Sequence, residues 1–381
     1  MNKSWEYKKI GDVCTVERGG SPRPIDKFIT DDENGINWIK IGDTTDSMYI
    51  THTAQKIIPE GMKKSRYVKP GDFLLSNSMS FGRPYILQID GCIHDGWLVL
   101  RDDDEVFDKR FLYYYLSSKT TYEKFKSMAV GGVVNNLNSE MVRKVEVPIP
   151  DKAEQSDVAN LMDRLSKVID NRKKELEYFD DLIKARFVEL FGDPKLNPKK
   201  WDVVNISEVV GGKVSNGFFA KRDDYCDDGN IRVLGVANIV NRMYSNLEDL
   251  PRTNADDKDI EKFEVKYGDM LFCRSSLVAE GIGKASIIPE DVQENILFEC
   301  HVIRLPLDLS KCVPEFVQTL STMDYFRNQV ISQSKTATMT TIGQAGILKT
   351  DIILPPIDKQ KEFYDFVKQV DKSKVVALKA A

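Results

Sequence analysis

At 381 residues the chain is too long for one ordinary domain and long enough for two, each burying its own core. A net charge of -5 excludes a surface coated in Lys and Arg, yet 54 basic side chains leave material for local basic faces, so DNA binding is neither announced nor excluded. The six cysteines, at 14, 92, 226, 273, 300 and 312, lack CxxC spacing, which argues against a zinc ribbon or disulfide framework; nor is any apolar run long enough for a signal peptide or membrane span, and a cytoplasmic location is expected.

The first elements open at Trp5 with "WEYKKIGDV" and run to about residue 150. Short apolar runs, "INWIKI", "DFLLS", "PYILQI" and "GWLVL", are bounded by Gly, Asp, Asn and Ser and predict several strands. One helix is expected near Arg110 to Lys126. Between these elements, "VERGGSPRP" carries Arg18, Ser21 and Arg23, the run "INWIK" ends on Lys40, and "SNSMSFGRP" offers Asn77, Ser78, Ser80 and Arg83. "MAVGGVVNNLNSE" then adds Asn135 and Asn136 just before a closing strand.

From Asp151 to Leu190 the pattern becomes helical, with Met162, Ile169, Leu176, Ile183 and Leu190 recurring every seven residues. Leu165 and Phe179 fill the intervening seam position, and Arg172 and Arg186 interrupt it. Roughly 38 residues at about 1.5 Å each predict a rod of about 57 Å, far beyond the mean globular helix, which favours a coiled coil over a core helix. Gly192 and Pro194 end it, and "KLNPKK" links it to the second half of the chain.

That second half is another copy of the first part. "WDVVNISEVV" from Trp201 answers the opening, "VKYGDMLFC" from Val265 answers "VKPGDFLLS" from Val68, and Gly283-Lys284 answers Gly82-Arg83. "FVQTLST" from Phe316 lies in a helix near Pro314 to Ile331 and matches "FLYYYLSS" from Phe111, while "IILPPIDKQKE" from Ile352 is set against "VEVPIPDKAEQ" from Val145. The second copy has its own loops: "FFAKRDD" with Lys221 and Arg222, "CRSSLVAEGIGK" with Arg274, Ser275, Ser276 and Lys284, and "QSKTATMTTIGQ" with Lys335 and Thr336. A period near two hundred residues means a duplicated domain, since solenoid repeats run roughly 20 to 50 residues. A final helix from about Asp358 aligns Phe363, Phe366, Val367 and Val370 with Val158, Leu161, Met162 and Leu165 of the central one. The two helices are expected to pair, lopsidedly, because the second spans only about 24 residues. The expected division is 1–150, 151–192, 193–357 and 358–381.

No catalytic constellation emerges. Gly281, Gly283 and Lys284 resemble a phosphate loop only until Val278 is found where the first Gly belongs, and the one Pro-Pro pair, Pro355-Pro356, has no aromatic neighbour to grip a flipped base. His94-Asp95 and Cys300-His301 are adjacent pairs, which on a strand would face opposite ways. Paired loops rich in Arg, Lys, Asn and Ser instead suit DNA, since Arg reads guanine, Asn reads adenine and all of them bind phosphates; the plainer alternative is solvated hairpin tips.

Taken together, "W...IGDV...GGSPRP", "INWIKIGD", "VKPGD", the Pro-rich junctions "PIPDKAEQ" and "PPIDKQKE", and the bridge "LFGDPKLNPKKW" resemble the DNA specificity subunit of type I restriction-modification systems. The resemblance covers essentially the whole chain. It implies an α+β architecture of two similar, mostly-β target recognition domains separated by two long helices that form an antiparallel coiled coil and act as a ruler. Each domain would read one half of a split double-stranded DNA target. Such a subunit has no activity of its own; it docks two methyltransferase subunits and recruits restriction subunits, so S-adenosylmethionine, ATP and magnesium belong to partners. Two alternatives stand beside it: a DNA-modifying enzyme with fused recognition domains, which would need catalytic motifs, and a coiled-coil protein-interaction scaffold, which leaves the duplicated loops idle.

Overall fold

The computed structural model describes residues 5–77, 82–129, 136–336 and 339–379, and it divides into two compact units, Met1–Ile169 and Asp170–Ala381. In the first unit, strands Thr15–Arg18, Trp97–Arg101, Phe73–Ser76, Pro84–Leu87 and Tyr49–Ile50 form one five-stranded sheet in that order. A second sheet runs Ile29–Thr30, Gln55–Ile57, Ile36–Ile39, Gly91–Ile93 and Arg66–Val68. The second unit repeats the central strands of both sheets. Ser215–Asn216, Val302–Pro306, Asp269–Cys273 and Ala285–Ile287 form a four-stranded sheet; Arg252–Thr253, Ile231–Leu234 and Ile296–Phe298 form a three-stranded one.

The shared Gly-Asp turns explain how the inner strands are entered. Gly71 and Gly268 both sit at φ +90, where a side chain is strained. Beside them, the Asp72 and Asp269 carboxylates accept from the backbone N–H groups of Lys69 at 3.0 Å and Lys266 at 2.9 Å. Phe73–Ser76 and Asp269–Cys273 are then buried along their whole length, as unbroken apolar runs predict.

Each repeat is closed by an antiparallel ribbon, Tyr7–Lys9 with Glu146–Pro148 and Asp202–Asn205 with Asp351–Leu354. Ile10 N donates to Val145 O at 2.8 Å, and Ile206 N to Thr350 O at 2.9 Å. Val145 therefore corresponds to Thr350, two residues away from the Val145–Ile352 match expected from the letters. The Pro-rich motifs align by eye in more than one register, and only the ribbon's hydrogen bonds choose.

The single helix expected in each repeat is two. Lys109–Ser117 stops at Ser118, which is extended and whose hydroxyl accepts from Thr121 N at 3.3 Å, so it starts Lys119–Ala129 as a cap. In the second repeat Pro314–Ser321 is followed by Asp324–Ser332.

The central helix runs Lys152–Phe191 and ends at Gly192, φ +80, whose N–H reaches Val188 O at 2.8 Å. Within the second unit it pairs antiparallel with Ile357–Lys379: Arg186 meets Glu362 at 3.2 Å while Asp180 meets Lys374 at 2.7 Å. The buried seam is Ile183, Phe187 and Phe191 against Phe363, Val367 and Val370. Arg186 and Leu190, expected in it, lie at its flank, with the Arg186 guanidinium over the Phe366 ring at 5.7 Å. The step of four follows from packing on two surfaces at once. Phe187 stacks on Phe316 at 5.2 Å and meets Phe363 edge-on at 5.5 Å, so this helix end belongs to a domain core and not to a two-stranded seam alone.

In the first unit the same helix buries Ala159 in the core, with Val158 packed beside it, and adds a polar contact face. Asp163 takes Arg110 at 2.5 Å and the Tyr114 hydroxyl at 2.7 Å, while the expected seam residues Leu165 and Ile169 are 49% and 54% exposed. Among the described residues no helix is long and apolar enough to cross a membrane.

Candidate nucleic-acid interface

In each unit four loops meet at one turn. In the first repeat the turn is Ile93–Trp97, closed by Trp97 N donating to His94 O at 3.1 Å. Gly19 N donates to Trp97 O at 2.9 Å, Asn77 N to Gly96 O at 2.9 Å, Leu137 N to Asn77 O at 2.7 Å, and His94 N to Ile39 O at 3.1 Å. The second repeat reproduces every link. Val302 N donates to Glu299 O at 3.0 Å, Gly217 N to Val302 O at 3.2 Å, Arg274 N to His301 O at 2.9 Å, Ile342 N to Arg274 O at 3.1 Å, and Glu299 N to Leu234 O at 2.9 Å. Glycine is required at the first contact in both: a Cβ on Gly19 would stand 2.2 Å from His94 O, and one on Gly217 2.1 Å from Phe298 O.

In the first repeat the side chains converge on Asp95, which the sequence offered only in the His94-Asp95 pair that was set aside as a site. Arg18 Nε donates to its carbonyl at 3.0 Å, the Ser21 hydroxyl to its carboxylate at 2.8 Å, and Arg23 pairs with it at 3.5 Å. His94 Nε2 lies 3.0 Å from Asp95 Oδ1; the two occupy a turn, so the strand alternation expected to separate them does not apply. Burial works to raise the Asp95 carboxyl, but the Ser21 hydrogen bond and the His94, Arg18 and Arg23 charges outweigh it and hold it below the usual carboxylate range.

Not every predicted reader is free. Asn77 is 2% exposed and its amide donates to Asp95 O at 2.8 Å, so it braces the turn and is too buried to read a base. Lys40 stands one residue past the Ile39 link and bonds Gln55 at 2.7 Å. Arg83 is exposed, 3.5 Å from Asp46 and over the Tyr85 ring, and Asn136 is half-buried beside Leu137. Ser78, Ser80 and Asn135 lie outside the described residues.

In the second repeat Arg274 takes the place of Asn77, and its guanidinium donates to Cys300 O at 3.1 Å as the Asn77 amide does to Asp95 O. Strands Ser275–Ser276, Thr340–Thr341 and Lys335–Thr336 form a small sheet that brings Ser275, Ser276, Lys335 and Thr336 together from distant loops. His301 Nδ1 lies 3.3 Å from the Ser275 hydroxyl, and Gln344 bonds Asn216 at 3.3 Å; sequence reading set His301 aside with its neighbour Cys300 and passed over Gln344 and Asn216. For Asn216 and Gln344 the signal was present in the letters, since each adjoins a Gly; His301, between Cys300 and Val302, has no such neighbour. Lys221 and Arg222 are exposed at a 3-10 turn. Phe219, Leu277 and Val278 add apolar tips that are 68%, 83% and 58% exposed. Lys284 departs from the expectation: its ammonium bonds Asn241 at 2.7 Å and lines a separate cavity. The remaining guanidinium, amide, hydroxyl and apolar groups are those that meet phosphates, base edges and thymine methyls.

The model of the type I restriction modification DNA specificity domain matches this chain twice, over residues 2–178 and 198–380. The chain belongs to that family. Among its relatives, the type I restriction enzyme MjaVIII specificity subunit of Methanocaldococcus jannaschii is 21% identical over 384 residues, spanning 97% of this chain and 86% of the relative. The EcoKI specificity subunit of Escherichia coli K12 is 23% identical over 408 residues, spanning 97% and 82%. A chain solved in work on complex assembly and conformational transition of the type I R-M system superposes with a TM-score of 0.52 at 16% identity, covering 99% of this chain and 92% of that one, so the fold is shared. In this DNA specificity subunit, the duplicated four-loop turn is thus the internal signature of two copies of the family's domain.

Proposed function

We propose that this specificity subunit reads a bipartite duplex DNA target, one half with each repeat, through the loops gathered at its two turns. The observation that carries this reading is the repeated clamp itself: identical backbone links present different side chains, Asp95 with Arg18, Ser21 and Arg23 in one copy, Arg274, Ser275, Lys335 and Thr336 in the other. One scaffold with two sets of donors suits two different half-sites. Arg23, Lys221, Arg222 and Lys335 supply phosphate contacts at the rim, where exposure leaves them free to displace counterions.

The subunit carries out no chemistry of its own in this reading. It docks two methyltransferase subunits and recruits restriction subunits, which hold S-adenosylmethionine, ATP and magnesium. The exposed apolar stripe of Leu161, Leu165, Val168 and Ile169 supports docking, because an isolated two-turn apolar face on a solvated helix is otherwise unpaired. Exchanging Trp5 to Pro148 for the same segment of a related subunit tests the modular part. Sequencing the resulting methylome is expected to show one altered half-site and one retained; changes in both halves would overturn it.

A further inference from the structure

The second unit holds a cavity of about 310 Å3 beside the central helix, and its charge is unbalanced. Lys184, Arg242, Lys284 and Arg327 line it, against one acid in the lining, Asp180, which is bonded to Lys374 at 2.7 Å. Among the described residues none of the four cations pairs with a carboxylate.

Two donors in this lining have nothing to donate to. Arg327 spends Nη2 on Glu280 O at 2.9 Å, while its Nη1 is buried without a partner. Thr319 is 2% exposed and its hydroxyl is likewise buried and unpartnered. Burial pushes the Arg327 guanidinium below its usual value, as expected of a cation lacking its counter-ion. Leaving such groups unsatisfied costs free energy, so each needs an explanation. The first repeat offers a contrast: at the position of Thr319 it carries Tyr114, a larger side chain whose hydroxyl is already bound to Asp163 at 2.7 Å. The second repeat has exchanged bulk for space and left the donors inside.

We propose that this cavity is an anion site that takes a phosphate group. A phosphate accepts from a guanidinium and a hydroxyl together, offsets several uncompensated cations, and leaves room here for an attached nucleoside-sized body beside Ile183, Met243 and Ala285. The same chemistry serves a free phosphorylated metabolite or a phosphate of the DNA backbone. The site rests on the cavity alone and does not require the DNA reading.

Calorimetric titration of the full chain with inorganic phosphate and with adenosine 5′-monophosphate, against chloride, tests it. Saturable binding is expected, weakened on the order of tenfold or more by Arg327→Gln and less by the near-isosteric Thr319→Val, and unchanged by Lys258→Ala, an exposed residue of the Asp257–Phe263 helix. If duplex DNA binds but neither small anion does, a salt slope lower by about one in Arg327→Gln assigns the phosphate to the DNA backbone. The proposal is overturned if neither anion binds and folded Arg327→Gln and Thr319→Val leave the DNA affinity and salt slope at wild-type values. Absence of duplex binding by the wild type would instead count against the DNA reading, with the small-anion titrations still deciding the cavity.

Discussion

Gln155 and Gln360 share a pair of hydrogen bonds in the two repeats, and Gln155 adds a third, to Val106 O at 3.0 Å. The side-chain carbonyl of Gln155 accepts from Asp108 N at 2.7 Å and its amide donates to Pro150 O at 2.9 Å; Gln360 accepts from Val313 N at 2.9 Å and donates to Pro355 O at 2.7 Å. Both are buried, and each ties the first turn of a long helix to the start of the helix it packs against. The pair confirms the register set by the closing ribbons.

Replacing either glutamine by Leu keeps the bulk and strands a backbone N–H. Each substitution is expected to destabilise its unit by about 1–3 kcal/mol, read as a lower denaturant midpoint. An unchanged midpoint for Gln360→Leu would mean that Val313 N finds another partner.

Gly19→Ala and Gly217→Ala test the turns. Because the added methyl would overlap a carbonyl oxygen in each, the loop must move, and recognition of one half-site is expected to be lost while the other persists. Methylome sequencing of each variant reads this directly. Full methylation in both would show that the close approach is incidental.

Stability should fall as pH rises from about 4.5 to about 7. Burial pushes the Glu315 carboxyl up to about 7 and that of Asp269 up to about 6. Both folded values exceed the unfolded ones, so the native state binds more protons across this window; the full contribution is present below the unfolded values and is lost through the folded ones. Glu315→Gln keeps an acceptor for the Tyr244 hydroxyl, now at 3.1 Å, and removes the ionisation. It is expected to gain on the order of 1–3 kcal/mol at pH 8 and nothing at pH 4, by thermal unfolding at each pH. A gain of equal size at both would assign the effect to packing.

Leu161→Asp and Ile169→Asp place charges on residues 56% and 54% exposed. The melting temperature should hold within a few degrees, while association with the methyltransferase subunit weakens on the order of tenfold or more. Co-purification at wild-type yield would move the docking surface elsewhere.

The duplication, the two long helices, the Gly-Asp turns and the loops rich in Arg, Asn and Ser were all legible in the letters, because each rests on periodicity, backbone preference or composition within a few residues. The fate of each side chain was not. Ser21 and Asp95 lie 74 positions apart, Arg274 and Cys300 26, Gln344 and Asn216 128, and no local pattern announces such pairs. The heptad count put Arg186 in the seam, but packing of Phe187 against both Phe316 and Phe363 turned the helix by its own rule. Asn77 and Lys284 have the right chemistry for DNA, yet one is buried as a brace and the other opens onto a cavity. Sequence determined which groups the loops carry; the tertiary structure decided which of them remain free to bind, since the buried Asn77 amide spent on a distant carbonyl is closed to a base, while a guanidinium such as that of Arg274 keeps further N–H groups after one is spent.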